Sequence, residues 1–117
     1  MTIHSRNKGK VGEREAVNLV CKEMWGCKEA ARTSQRRGDQ TPDVDIGLPI
    51  HVEVKRRKKI ASTAFLMQAE RDAAKDHIPI VLMREDNGKW QLVLRPENLE
   101  SLADVLFRQR QNNDNLD

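Results

Sequence analysis

Asp43, Asp45, Glu53 and Lys55 stand at alternate positions of the segment PDVDIGLPIHVEVK, residues 42–55, a spacing that could build a cation site. Successive side chains of a strand point to opposite faces. Val44, Ile46 and Leu48 therefore take one face of a first strand, and Asp43, Asp45 and Gly47 the other. Gly47 and Pro49 predict a tight connection. In the second strand Ile50, Val52 and Val54 face the core, while His51, Glu53 and Lys55 are expected to face away from it. Paired as a hairpin, the strands set carboxylates beside one another, and their repulsion calls for a counter-charge. Hard divalent cations such as Mg²⁺ take oxygen ligands and keep several waters, so two or three carboxylates on rigid elements are enough to hold one. The alternative is a solvated strand face whose acids are neutralised by Lys55 and the basic residues after it.

A carboxylate from elsewhere in the chain points the same way. Val17, Val20 and Met24 form an apolar stripe that predicts a helix from Lys10 to about Met24. Glu13 lies four residues before Val17 and belongs to that stripe, whereas Arg14, Asn18 and Lys22 point elsewhere. An acid in the first helical turn is favoured by the macrodipole. That explains its place along the axis but not its direction toward the core.

The remaining elements follow from local pattern. A short strand is expected over Cys27–Ala31, then a loop from Arg32 to Thr41 with turn composition and a basic tip. After the two charged strands, Ser62 or Thr63 is expected to cap a second helix that runs to Asp76, with Phe65, Ala69 and Ala73 toward the core. Gln68, Arg71 and Lys75 then share a neighbouring face. The apolar run Pro79–Met83 predicts a central strand covered on both sides. Asp86-Asn87-Gly88 is a hairpin turn, and Trp90, Leu92 and Leu94 alternate as its second strand. Pro96 opens a last helix carrying Leu99, Leu102 and Leu106 on one side. Residues 1–9 and 108–117 are expected to be flexible. The order helix, three strands, helix, strand, strand, helix predicts an α/β domain with a central mixed sheet flanked by helices.

The chain has 117 residues, 38% hydrophobic and 33% charged, which suits one domain with a single core. No apolar stretch approaches a membrane span and no signal-peptide core is present, so a cytoplasmic location is expected. Cys21 and Cys27 cannot form a zinc site by themselves, and His4, His51 and His77 are not at ligand spacing from them. Both cysteines are expected to be small, reduced and partly buried.

The formal charge is only +3, yet the basic residues cluster. Arg6, Lys8 and Lys10 fall in the first cluster, Arg32, Ser34, Arg36 and Arg37 in the second, and Arg56, Arg57 and Lys58 in the third. Local basic stripes give the counterion-release attraction that dominates nucleic-acid affinity. With two Trp, two Phe and no Tyr, few rings are available for base stacking, which favours contact with a duplex backbone over single-strand binding.

With Glu13, Asp43, Glu53 and Lys55 placed, the chain resembles the PD-(D/E)xK nuclease superfamily, and more narrowly the archaeal-type Holliday junction resolvases and related small phage endonucleases. The resemblance rests on KGKVGERE in the first helix, TPDVDI and VEVKRRKK in the hairpin, and Gln68 in the following helix, over roughly residues 7–90. It implies a single-domain restriction-endonuclease-like fold over residues 1–117 and hydrolysis of DNA phosphodiester bonds. It implies Mg²⁺, with Mn²⁺ able to substitute, held by Glu13, Asp43, Glu53 and the main-chain carbonyl of Val54. Lys55 would position or activate the attacking water, and Gln68 would be an accessory catalytic position. Asp45 remains an alternative or additional ligand, two residues from Asp43. By analogy the partner is a four-way junction or other branched duplex, and the enzyme a homodimer. Two other readings fit the same residues: a non-catalytic nucleic-acid-binding module with a structural ion-pair network, and a general, restriction-type or RNA-directed nuclease.

Overall fold

A computed structural model of the chain describes residues 10–33, 41–57 and 61–116. Helix α1 covers residues 10–24, with ordinary α-helical winding over 10–15 and a π-helical stretch over Ala16–Met24. The wider winding changes which side chains are covered. Glu13, Ala16, Val17, Val20 and Cys21 are buried, in steps close to four residues, while Met24 is 56% exposed. The expected stripe through Met24 assumed 3.6 residues per turn. In the wider helix Trp25 is the partly buried residue packed against the core.

The helix ends at Gly26, which takes φ +72°, the left-handed conformation common just past a helix. Cys27 N–H donates to Cys21 O at 2.8 Å. The strand expected over Cys27–Ala31 is therefore mostly turn. Only Ala31–Arg32 forms strand β1.

Strands β2 (Val44–Asp45), β3 (Ile50–Arg57), β4 (Ile78–Glu85) and β5 (Gln91–Val93) complete a five-stranded sheet in the order β1-β2-β3-β4-β5. All neighbouring pairs are antiparallel except β3 and β4, which run parallel. A parallel pair needs a crossover. Helix α2 (Ser62–Asp72) supplies it. The helix begins after Ala61, with no side-chain cap bond, so neither Ser62 nor Thr63 caps it, and it stops at Asp72 because Ala73 turns extended.

Asn87 has φ +66° and Gly88 N–H bonds Glu85 O at 2.9 Å, giving the expected turn between β4 and β5. A 3₁₀ turn at Pro96–Asn98 leads into helix α3, Leu99–Leu116. This helix carries Leu102 into the core and leaves Leu99 exposed. The segment from residue 108, expected to fray, stays helical because Arg110 and Asn113 donate to the carbonyls of Met24 and Gly26 at the end of α1. The Met24 carbonyl, in the last turn of α1, has no partner within its own helix.

The sheet is covered on both faces. Ile50, Val52, Val54, Ile80 and Leu82 pack with α1 and Leu102 of α3. On the opposite face Val81 and Met83 pack with Leu66, Ala69 and Phe65 of α2. Among the described residues no helix is long and apolar enough to cross a membrane.

Candidate active site

The face of β3 expected to look outward lies on the α2 side of the sheet. His51 is 1% exposed and Glu53 3%. Alternation along the strand identifies the face correctly, but cover over it comes from α2, a separate element later in the chain. Lys55 is half-buried on the same side, its ammonium 5.6 Å from the centroid of the Phe65 ring. That contact holds the lysine stem against α2. Gln68 lies half-buried on α2, one turn beyond Phe65 and on the margin of the packed face.

Asp43 stands just before β2. Its N–H donates to Val52 O at 2.9 Å, and its Oδ2 accepts from Val54 N–H at 2.9 Å. These bonds fix the carboxylate at the edge of β3, beside Glu53. Because β2 is two residues long, the strand pairing stops there. In an extended strand the N–H and C=O of one residue point to the same side. The carbonyl of Val54 therefore faces the edge where Asp43 lies.

Three carboxylates meet at this edge from three elements. The Asp43 carboxyl is pushed up from 3.8 to about 7, first by burial, then by the charge of Glu53 and a hydrogen bond to it, with Glu13 adding to the same effect. The Val54 amide opposes the shift without cancelling it. Burial and neighbouring like charges both favour the protonated form of a carboxyl. Glu13, from α1, is only 8% exposed.

Each acid also has a protein partner. Arg32 Nε donates to Glu13 Oε1 at 3.0 Å. His51 Nε2 lies 2.7 Å from Glu53 Oε1. Among the described residues no three His, Cys, Asp or Glu side chains stand in a ready coordinating arrangement for a metal. The donor set nonetheless suits a hard cation. It consists of oxygens, and burial together with two further acids disfavours the charged form of Asp43 at its centre. Taking up a metal would require Asp43 to lose its proton and Glu13 to turn from Arg32.

Asp45 behaves differently from Asp43. It is exposed and its Oδ1 accepts from Gly47 N–H at 2.9 Å. Gly47, at φ +70°, makes the connection to β3, and Asp45 stabilises that turn.

Of the basic residues expected to meet phosphate, Lys10 is exposed at the start of α1. Arg32 is engaged by Glu13, and Arg56 lies 3.4 Å from Glu15. Arg6, Lys8, Ser34, Arg36, Arg37 and Lys58 lie outside the described residues, as does the side chain of Arg57. His51 was missed in the sequence as a partner of Glu53, although its place two residues earlier on the same strand face was the available signal.

Cys21 and Cys27 are free and buried. Burial pushes the Cys21 thiol up to about 12 and raises Cys27 as well, so neither is a ready nucleophile. A separate apolar cavity of about 470 Å³ opens between α1 and β5, lined by Met24, Trp25, Trp90 and Leu92 among others. No acid lines it. No protein-family model, no curated protein and no solved structure matches the chain.

Proposed function

We propose that this chain is a metal-dependent endodeoxyribonuclease of the PD-(D/E)xK type, with a restriction-endonuclease-like fold, acting on branched DNA with a four-way junction as its preferred substrate. One observation carries the reading. Glu13, Asp43 and Glu53, from three separate segments, converge at one buried edge, where burial first and then the charges of Glu53 and Glu13 push the Asp43 carboxyl up to about 7. A stable core gains nothing from that repulsion, whereas a divalent cation relieves it.

Glu13, Asp43 and Glu53 would hold Mg²⁺ or Mn²⁺, with the Val54 carbonyl at the same edge. When bound, such an ion lowers the pKa of a ligated water and stabilises charge on phosphoryl oxygens. Lys55 shares the strand face of Glu53 and is steadied by Phe65. Its ammonium would orient the attacking water and offset charge growing on the phosphate. Gln68, on the margin of α2, would contact the scissile strand. Lys10 and the other residues of the three basic clusters in the sequence would hold the DNA backbone. A homodimer would present two such sites for paired cuts.

Cleavage of a labelled four-way junction, linear duplex and single strand, each with Mg²⁺ and with EDTA, tests the proposal. Paired nicks in the junction, dependent on Mg²⁺ and lost in Glu53→Gln, are expected. Equal cutting of plain duplex would replace the junction resolvase by a general endonuclease.

The Glu13–Arg32 ion pair and the Glu53–His51 hydrogen bond favour a second reading, a nucleic-acid-binding module whose acids are structural. It requires DNA binding indifferent to Mg²⁺ and no nicked product.

A further inference from the structure

His51 and Glu53 are among the most deeply buried polar side chains described, at 1% and 3% exposure, and the nuclease proposal uses only one of them. Their 2.7 Å contact joins His51 Nε2 to Glu53 Oε1. A carboxylate only accepts hydrogen bonds, so with Glu53 ionised the imidazole is the donor.

Stability alone does not account for the pair. Burying two ionisable groups costs desolvation that their attraction barely repays, and apolar residues of similar volume are often as stable or better. The neighbouring strand shows the apolar solution. On the same face of the sheet β4 carries Val81 and Met83, packed under α2. An aliphatic residue at position 51 would continue that layer.

Geometry supplies the missing reason. Glu53 lies two residues beyond His51, on the same strand face, and its carboxyl also hydrogen-bonds Asp43. With Oε1 held by the imidazole, the carboxylate plane is fixed from behind. We infer that His51 is a positioning residue, locking the Glu53 carboxylate so that it faces Asp43 and the divalent cation that the two would share. The inference rests on the nuclease proposal. Groups that orient metal-binding carboxylates in this way typically change metal affinity by about 10–100-fold when removed.

Mn²⁺ titration of the full chain, followed by the loss of free-ion electron paramagnetic resonance signal, tests the assignment without relying on cleavage. His51→Leu is expected to weaken Mn²⁺ binding by about 10-fold or more, with an unchanged circular dichroism spectrum. His51→Gln, whose amide can still donate to Oε1, is expected to recover most of the affinity. Should leucine prevent folding, His51→Asn, too short to reach Oε1, carries the same expectation as His51→Leu. Wild-type affinity in a folded His51→Leu or His51→Asn protein, with binding lost in Glu53→Gln, overturns the role of His51 and leaves the nuclease proposal standing. A wild-type chain that takes up no Mn²⁺ overturns both.

Discussion

The amide of Val54 donates to Asp43 Oδ2 at 2.9 Å, so the acid before the edge strand is tied to the backbone of the central strand. Together with the bond from Asp43 N–H to Val52 O it sets Asp43 beside Glu53, and their repulsion becomes a built-in property of the sheet edge. Those bonds and the raised Asp43 carboxyl have measurable consequences.

Asp43 ionises near 7 in the folded chain, against an ordinary value of 3.8. Between those values the folded protein keeps a proton that the unfolded chain has lost, so raising the pH favours unfolding. The contribution of this carboxyl to stability is complete below about pH 4, falls as the pH rises toward 7, and is level above it. Urea unfolding at pH 5 and pH 8 is expected to show wild type losing stability relative to Asp43→Asn. A difference between the two proteins that does not change with pH would contradict the shift.

If Asp43 holds a metal as proposed, the same proton has to leave. Mg²⁺ binding at pH 6 is expected to release about one proton, and at pH 8 nearly none. Calorimetry in two buffers of different ionisation enthalpy reads this number directly. Equal release at both pH values would separate metal binding from the Asp43–Glu53 pair.

In the proposed site Arg32 would compete with a metal for Glu13. Arg32→Ala is expected to destabilise the metal-free protein by about 1–3 kcal/mol, the range for losing a charge-assisted hydrogen bond to a buried group. It should also tighten Mg²⁺ binding, because Glu13 no longer has to release a guanidinium. Unfolding with and without Mg²⁺ checks both signs. Weaker binding in a folded variant would show that Arg32 helps to assemble the site instead.

Gly12 lets α1 approach β3. A Cβ at this position would come within 3.0 Å of Arg56 Cβ, an atom next to the backbone that has little room to move. Gly12→Ala gains about 1 kcal/mol in helix propensity, against about 1–3 kcal/mol for overpacking. Net destabilisation is expected, together with weaker Mn²⁺ binding because Glu13 is the next residue. Higher stability with unchanged Mn²⁺ affinity would contradict this account of the close approach.

Glu15 secures the same helix. It accepts from Arg84 Nε and Nη2 at 3.1 Å each and lies 3.4 Å from Arg56. Arg56 and Arg84 are register partners on the parallel strands β3 and β4, so their charges stand side by side. Glu15→Gln is expected to cost about 2 kcal/mol, less than breaking a fully buried pair, because Glu15 is 27% exposed. Urea unfolding measures it, and a change within about 0.5 kcal/mol, the level of ordinary surface substitutions, would argue against the clamp.

Much of this arrangement was legible in the sequence because it depends on short-range periodicity. Alternation through residues 43–55 gave the two faces, and the turn at Asp86-Asn87-Gly88 gave the β4–β5 connection. What escaped depends on contacts between distant segments. The burial of His51 requires cover from the α2 side, which alternation within β3 cannot reveal. The winding of α1 moved the buried stripe from Met24 to Cys21, a change invisible to a pattern built on 3.6 residues per turn. Helical structure past residue 108 depends on Arg110 and Asn113 reaching the end of α1, far away in the chain.

Metal titration of single carboxylate variants bears most directly on the proposed site. Glu13→Gln, Asp43→Asn and Glu53→Gln, each checked for folding, are expected to lose Mn²⁺ affinity by at least about 10-fold, while wild type binds in the range typical of a few-carboxylate site. If Glu13→Gln binds Mn²⁺ as wild type does, the three acids do not share a cation and the nuclease proposal fails.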